Sequence, residues 1–314
     1  MTVFLSTLNQ MAFLLLLIAI GYLLSRLKAV PENASASLSK MENNVFIPAL
    51  VLGTFIDNFT PEKLSTAWQY LLGGFVVVGI SIVIAIVASR LVTKDDYIRK
   101  IYTYGLSFSN FGFMGNAVVK ALFPEIFMEY LIFTLPFWML IYVWGVPALL
   151  IPSGNGKKSL KDRLKPFLNP MFIAMLVGMV IGLLSPKLPD FFSTAVSSLG
   201  NCMSPVAMLL TGMTIAKIDL KATFRNGSLY LVSFLRLAVI PLLFILALMF
   251  LKLPYALAAC IVCCQAMPLG LNTIVIPAGY GQDTSVASGM ALISHLLSCI
   301  SIPLIFMLFE MVVK

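Results

Sequence analysis

Charge is what this chain has least of: 11% of its 314 residues are charged, 60% are hydrophobic, and the mean hydropathy is +0.99. No soluble domain needs that much apolar surface, so a water-soluble fold is excluded in favour of an all-α polytopic membrane protein. The apolar runs continue for roughly 20 residues instead of alternating over about 10, which excludes a membrane β-barrel. Histidine is limited to His295, and the five cysteines (Cys202, Cys260, Cys263, Cys264, Cys299) all lie inside apolar runs. Cys260 and Cys263 have C-x-x-C spacing but no second pair, so they read as small packing residues, with no metal and no cofactor expected. None of the 13 acidic residues falls at mid-depth of a span; Glu42 and Asp283 lie near the inner ends, Glu129 and Glu310 near the outer. No catalytic residues follow, since Ser294 beside His295 does not make a hydrolase, and the chain reads as no enzyme. Met1 to Gln10 has neither a basic region nor a small-residue cleavage site, so the first apolar run is expected to be a retained span.

Runs of spanning length predict ten helices, at 5–25, 36–56, 66–89, 98–121, 126–151, 167–184, 191–216, 227–251, 254–279 and 284–311. The second is the weakest pattern, because Lys40, Glu42, Asn43 and Asn44 crowd its start and Pro48 interrupts it. Basic residues alternate strictly from loop to loop: of 21 Lys and Arg, 15 fall on one side, 5 on the other, and Arg236 lies within a span. That excess marks the cytoplasmic side and accounts for the net charge of +8 without nucleic acid. It places both termini outside a multi-pass protein of the cell membrane. The most polar loop, 152–166, separates residues 1–151 from 167–314. Five spans on each side of it force the second repeat to enter from the opposite face, an inverted repeat. At a spacing of 157 residues Gly21 meets Gly178, Asn44 meets Asn201 and Pro48 meets Pro205; one residue less pairs Asn116 with Asn272.

Two apolar stretches carry breakers and amides at their centres: Asn110, Gly112, Gly115 and Asn116 in one, Pro268, Gly270 and Asn272 in the other. Broken backbone at membrane depth is tolerated only where it lines a cavity or is buried in protein, and paired breaks in two halves are a transporter signature.

These stretches belong to a larger set of marks. Ser109 to Gly115 (Ser-Asn-Phe-Gly-Phe-Met-Gly), Asn169-Pro170, Pro205 with Gly212, Ala266-Met-Pro268, Tyr280-Gly-Gln-Asp283, and Ser294 with Pro303 fall in order over most of the chain. Together they resemble the auxin efflux carrier family, which includes plant PIN-type carriers and bacterial malate and malonate permeases. The resemblance implies two inverted five-span repeats with spans four and nine broken and crossing near the midplane. It also implies that spans one, two, six and seven form a panel against which the other six move. Ala117 stands where the family usually has proline, which leaves the break in span four resting on Gly112 and Gly115.

An unwound span presents a half-helix N-terminus, with partial positive charge, to the crossover, which favours an anion. Asn110, Gly112, Gly115, Asn116, Gln265, Pro268, Asn272 and Arg236 are the candidate substrate-binding residues. The amides could equally glue helices together. Arg236 either faces the cavity, or reaches toward the cytoplasmic interface or bonds free carbonyls around Pro241. Asn44, Pro48, Asn201 and Pro205 are candidates for lining the cavity, and His295 is the candidate proton carrier against the alternative of a packed core histidine. The expectation is a secondary carrier of a small organic anion, a carboxylate by the resemblance, working by alternating access; an anion channel is the rival. Its partners are that anion and the bilayer, with proton coupling and a homodimer left open.

Overall fold

A computed structural model describes residues 2–151 and 170–313. The expected linker 152–166, with its basic cluster, lies outside the described residues. The described residues are helical, and four helices are both long and apolar enough to cross a membrane: Ala67–Val92, Pro124–Leu150, Gly227–Leu251 and Ser285–Val312.

The chain opens with α1 (Thr2–Arg26) and α2 (Ala34–Met41), which a π-helical turn at Glu42–Phe46 joins to α3 (Ile47–Asn58). Pro48 therefore does not interrupt the second helix. It occupies the first turn of α3, where its missing N–H is tolerated, and the wide turn just ahead takes up the mismatch. α4 (Pro61–Val92) starts at Thr60, whose hydroxyl accepts from the Lys63 N–H at 3.3 Å, and kinks at Ala67. α5 (Asp96–Ser107) is capped by Asp95, which accepts from the Ile98 N–H at 2.8 Å. A π-helical turn at Phe111–Gly115 leads into α6 (Asn116–Leu122), and α7 (Phe127–Leu140) runs on as a π-helical stretch, Ile141–Leu150, around Pro147.

The second half has α8 (Pro170–Leu184), α9 (Asp190–Ile215) and the short α10 (Leu220–Arg225). α11 (Gly227–Phe234) and α12 (Ile240–Leu251) are joined by a π-helical turn at Leu235–Val239. α13 (Tyr255–Gln265), α14 (Asn272–Gly279) and α15 (Ser285–Val313) complete it.

The most extensive packing pairs α1 with α9 and α3 with α8, and α9 also lies against α3. Glycine makes these approaches close: Gly21 lies on the Leu209 carbonyl and Gly212 on that of Ile18, while Gly178 and Gly182 lie on the Leu52 and Phe55 carbonyls. Between lipid-immersed helices packing, not water exclusion, drives association, so small residues at the contact are what let the backbones meet. A second group packs α4 against α5 and α7, and α11 against α15.

Candidate functional site

The two segments singled out by their breakers meet. The helical path from Asp96 stops at Ser107 and resumes at Phe111; the path from Tyr255 stops at Gln265 and resumes at Asn272. Between the stops, Ser109 and Leu269 form an antiparallel β-bridge, and the Asn110 N–H donates to the Pro268 carbonyl at 2.8 Å. The Ser109 hydroxyl donates to the Cys264 carbonyl at 2.6 Å. Each break thus supplies partners for backbone groups that the other leaves open, as buried backbone requires. The break persists with alanine at 117, and Gly112 and Gly115 just after it admit close neighbours. A side chain at Gly112 would run into Trp138, and one at Gly115 into the Tyr130 hydroxyl. Gly270 lies against the Phe108 carbonyl, so the two breaks approach at backbone distance.

Arg236 lies fully buried behind this crossing, aimed by the π-helical turn in its helix. Its Nη1 donates to the Leu106 carbonyl at 2.9 Å, Nε to Met267 at 3.1 Å, and Nη2 to the Gln265 carbonyl and side-chain Oε1 at 2.8 and 2.9 Å. These carbonyls belong to the last turns of α5 and α13 and to the break that follows α13. Arg236 is therefore a clamp on the C-terminal, negative ends of both half-helices, and no ion pair among the described residues involves it. These partners are not the carbonyls around Pro241, and Arg236 does not line the cleft between α3, α9 and α6. Gln265 serves the same cluster, donating to the Ser81 hydroxyl at 3.1 Å.

Asn110 and His295, 185 residues apart, are joined at 3.0 Å. His295 Nδ1 lies 2.8 Å from the Ala291 carbonyl, which can only accept, so Nδ1 carries the hydrogen and Nε2 accepts from the Asn110 amide. Asn272 donates to the Tyr104 hydroxyl at 2.9 Å beside a water-sized hollow lined by Ser109, Gly112, Trp138 and Gly270. The amide oxygens of Asn110, Asn116 and Asn272 are buried with no hydrogen-bond partner.

One cleft opens on the side where α3 ends and reaches the start of α6. It holds about 370 Å³, with Leu50, Gly53 and Thr54 of α3 and Ser193, Ser197 and Asn201 of α9 on one wall and Asn116 and Lys120 of α6 on the other. Asn116 and Asn201, expected at the site from their breakers and repeat positions, thus face the same space. The remaining cavity candidates do not line it: Asn44 is exposed and bonds the Lys40 carbonyl at 2.7 Å, Pro48 is half-buried, and Pro205 is exposed about one turn beyond Asn201. Lys120, Asp57 and Asn58 line it although no breaker or repeat position singles them out; their only sequence mark is their place at the ends of apolar runs.

At the opposite ends of these helices α2 is held to α14. Ser39 and Asn43 donate to the Val275 carbonyl at 2.5 and 3.2 Å, holding α2 and the π-helical turn after it to α14. Gly279 lies against the same two side chains.

Residues 6–306, nearly the whole chain, match the family model described as membrane transport protein. No curated protein matches the chain.

Proposed function

This chain belongs to the membrane transport protein family, the auxin efflux carriers its motifs resemble, and on that premise we propose that it is a secondary carrier of a small organic anion, a carboxylate, working by alternating access. One observation carries the reading: the cleft lies between the glycine-packed helices α3 and α9 and the half-helix α6, and reaches Asn116 at the start of α6, while at the opposite ends Ser39 and Asn43 hold α14 by its Val275 carbonyl. A carrier needs such a space open to one side at a time. Lys120 gives it a cation, and Asn116, Asn201, Ser193 and Ser197 give it hydrogen-bonding groups suited to a carboxylate.

The ten-span inverted repeat is part of the proposal. Its support is that the packing of α1 on α9 and of α3 on α8 exchange with each other when the two halves are swapped, with Gly21 and Gly178 in matching places. The loop charges put the cleft on the outer side of the cell membrane and both termini outside, so the conformation is open outward. Arg236 and Gln265 hold the crossing in shape and Asn116 meets the substrate.

Thermal unfolding of the purified protein with a panel of mono- and dicarboxylates tests the reading, because a ligand that binds the folded state raises the midpoint. A carboxylate should stabilise the protein, and Asn116→Ala or Lys120→Gln should remove that shift while leaving the ligand-free midpoint unchanged. A panel in which no carboxylate acts, or in which both variants respond like the parent, contradicts it.

A further inference from the structure

Glu42 is fully buried, and neither of its carboxyl oxygens has a hydrogen-bond partner among the described residues. It opens the π-helical turn between α2 and α3, directly between Ser39 and Asn43, the two side chains that hold α14 by its Val275 carbonyl. Among the described residues, the helices packed most extensively on that turn offer it no counter-charge. α8 and α14 carry no charged residue; α9 has Asp190 at its far end and the thiol of Cys202; α3 has Asp57, likewise at the far end; α2 has Lys40, which is exposed. Lys217, beyond the end of α9, is committed to the Ser35 hydroxyl at 2.7 Å and the Glu32 carbonyl at 2.9 Å. A carboxylate in this place would be a buried charge without a partner among the described residues, which proteins avoid by keeping the group neutral.

Water is not far away. A second cavity of about 300 Å³, lined by Ser35, Thr214, Lys217, Ala278, Gln282 and Asp283, opens on the side opposite the cleft. Ser35 is seven residues before Glu42, about 10 Å along the helix axis at helical rise. What lies between is the contact of Ser39 and Asn43 with Val275. Parting of α14 from α2 would extend that cavity toward Glu42.

We propose that Glu42 is a proton-binding site of the cytoplasmic gate: it holds a proton while α14 is docked and releases it to cytoplasmic water when α14 leaves. The step is a simple dissociation, with the carboxylic acid yielding a hydrated carboxylate and one proton to the cytoplasm. Because the closed gate binds the proton more tightly than the open one, acid on the cytoplasmic side favours closure and a rising cytoplasmic pH favours opening. The inference rests on the alternating-access reading for its gate, but the proton itself is measured independently of transport.

Infrared difference spectra of the parent and Glu42→Gln proteins at neutral pH test the site. A protonated carboxyl band present in the parent and missing from the variant is expected; identical spectra in the carboxyl region overturn the proposal whether or not the protein transports anything. The gate is tested by a Thr273→Cys reporter on buried α14, labelled from the cytoplasmic side with an impermeant thiol reagent. Dividing the labelling rate in the parent background by that in the Glu42→Gln background cancels the reagent's own pH dependence. The ratio should rise severalfold with pH; a flat ratio overturns the gate. If Glu42→Gln fails to reach the membrane, Glu42→Met supports the same two comparisons.

Discussion

At the residue scale the structure separates groups that touch the cleft from groups that build it. Arg236 is conspicuous in the sequence because a cation near mid-depth needs a partner, but its partners, the carbonyls of Leu106, Gln265 and Met267, become available only through breaks in two other helices. No pattern local to residue 236 reveals them. Hydrogen bonds from a charged donor contribute about 1.5–3 kcal/mol each, so Arg236→Met, which removes several, should destabilise the protein by on the order of 3 kcal/mol or more. Arg236→Lys keeps the charge but not the planar spread of donors and should fall between the two in thermal unfolding. A midpoint equal to that of the parent in both variants would show that the clamp contributes nothing. His295 calls for a different measurement. His295→Gln keeps an acceptor for Asn110, so folding should persist; if the imidazole exchanges a proton during transport, the pH profile of initial uptake should flatten between about pH 5 and 8. A profile identical to the parent's would leave His295 as a packing residue bonded to Asn110.

The elements most legible in the sequence are those whose signal is local. Long apolar runs mark the helices, and glycine, proline and asparagine in the middle of two of them mark the breaks at Phe108–Asn110 and Ala266–Leu271. What the breaks do for each other is not legible, because the bridge between Ser109 and Leu269 joins residues 160 apart. The second helix misleads for a related reason: Pro48 looks like an interruption until the π-helical turn at Glu42–Phe46 places it in a first turn. The same turn buries Glu42, which sequence position alone puts near an inner end. The crossing itself can be tested by adding one methyl group. Gly270→Ala directs a Cβ at the Phe108 carbonyl and should push the two breaks apart, lowering transport by more than about tenfold, a loss of about 1.4 kcal/mol or more at the transition state, while membrane insertion persists. Pro268→Ala removes a breaker and leaves the close approach intact, so it should be the milder of the two. Equal activity of the Gly270 variant and the parent would mean the approach is not needed for function.

On the scale of the whole molecule three things come together: family membership, a cleft that reaches the start of α6, and the contact of α2 with α14 on the opposite side. The proposed orientation rests on the 15 to 5 distribution of basic residues. Single cysteines in the 157–165 loop should accordingly be labelled only from the cytoplasm, and one placed after Lys314 only from outside. Labelling of both from the same side would contradict the inverted repeat. The central claim is that the cleft and the closure take turns, and counterflow in liposomes measures this most directly. The purified protein is reconstituted, one side is loaded with an unlabelled carboxylate that stabilises the protein, and entry of the labelled acid is followed from the other. Alternating access predicts uptake that saturates with concentration and is accelerated by the acid inside, because a loaded site returns faster than an empty one. Uptake that rises linearly with concentration and ignores the acid on the far side would contradict it and establish a channel.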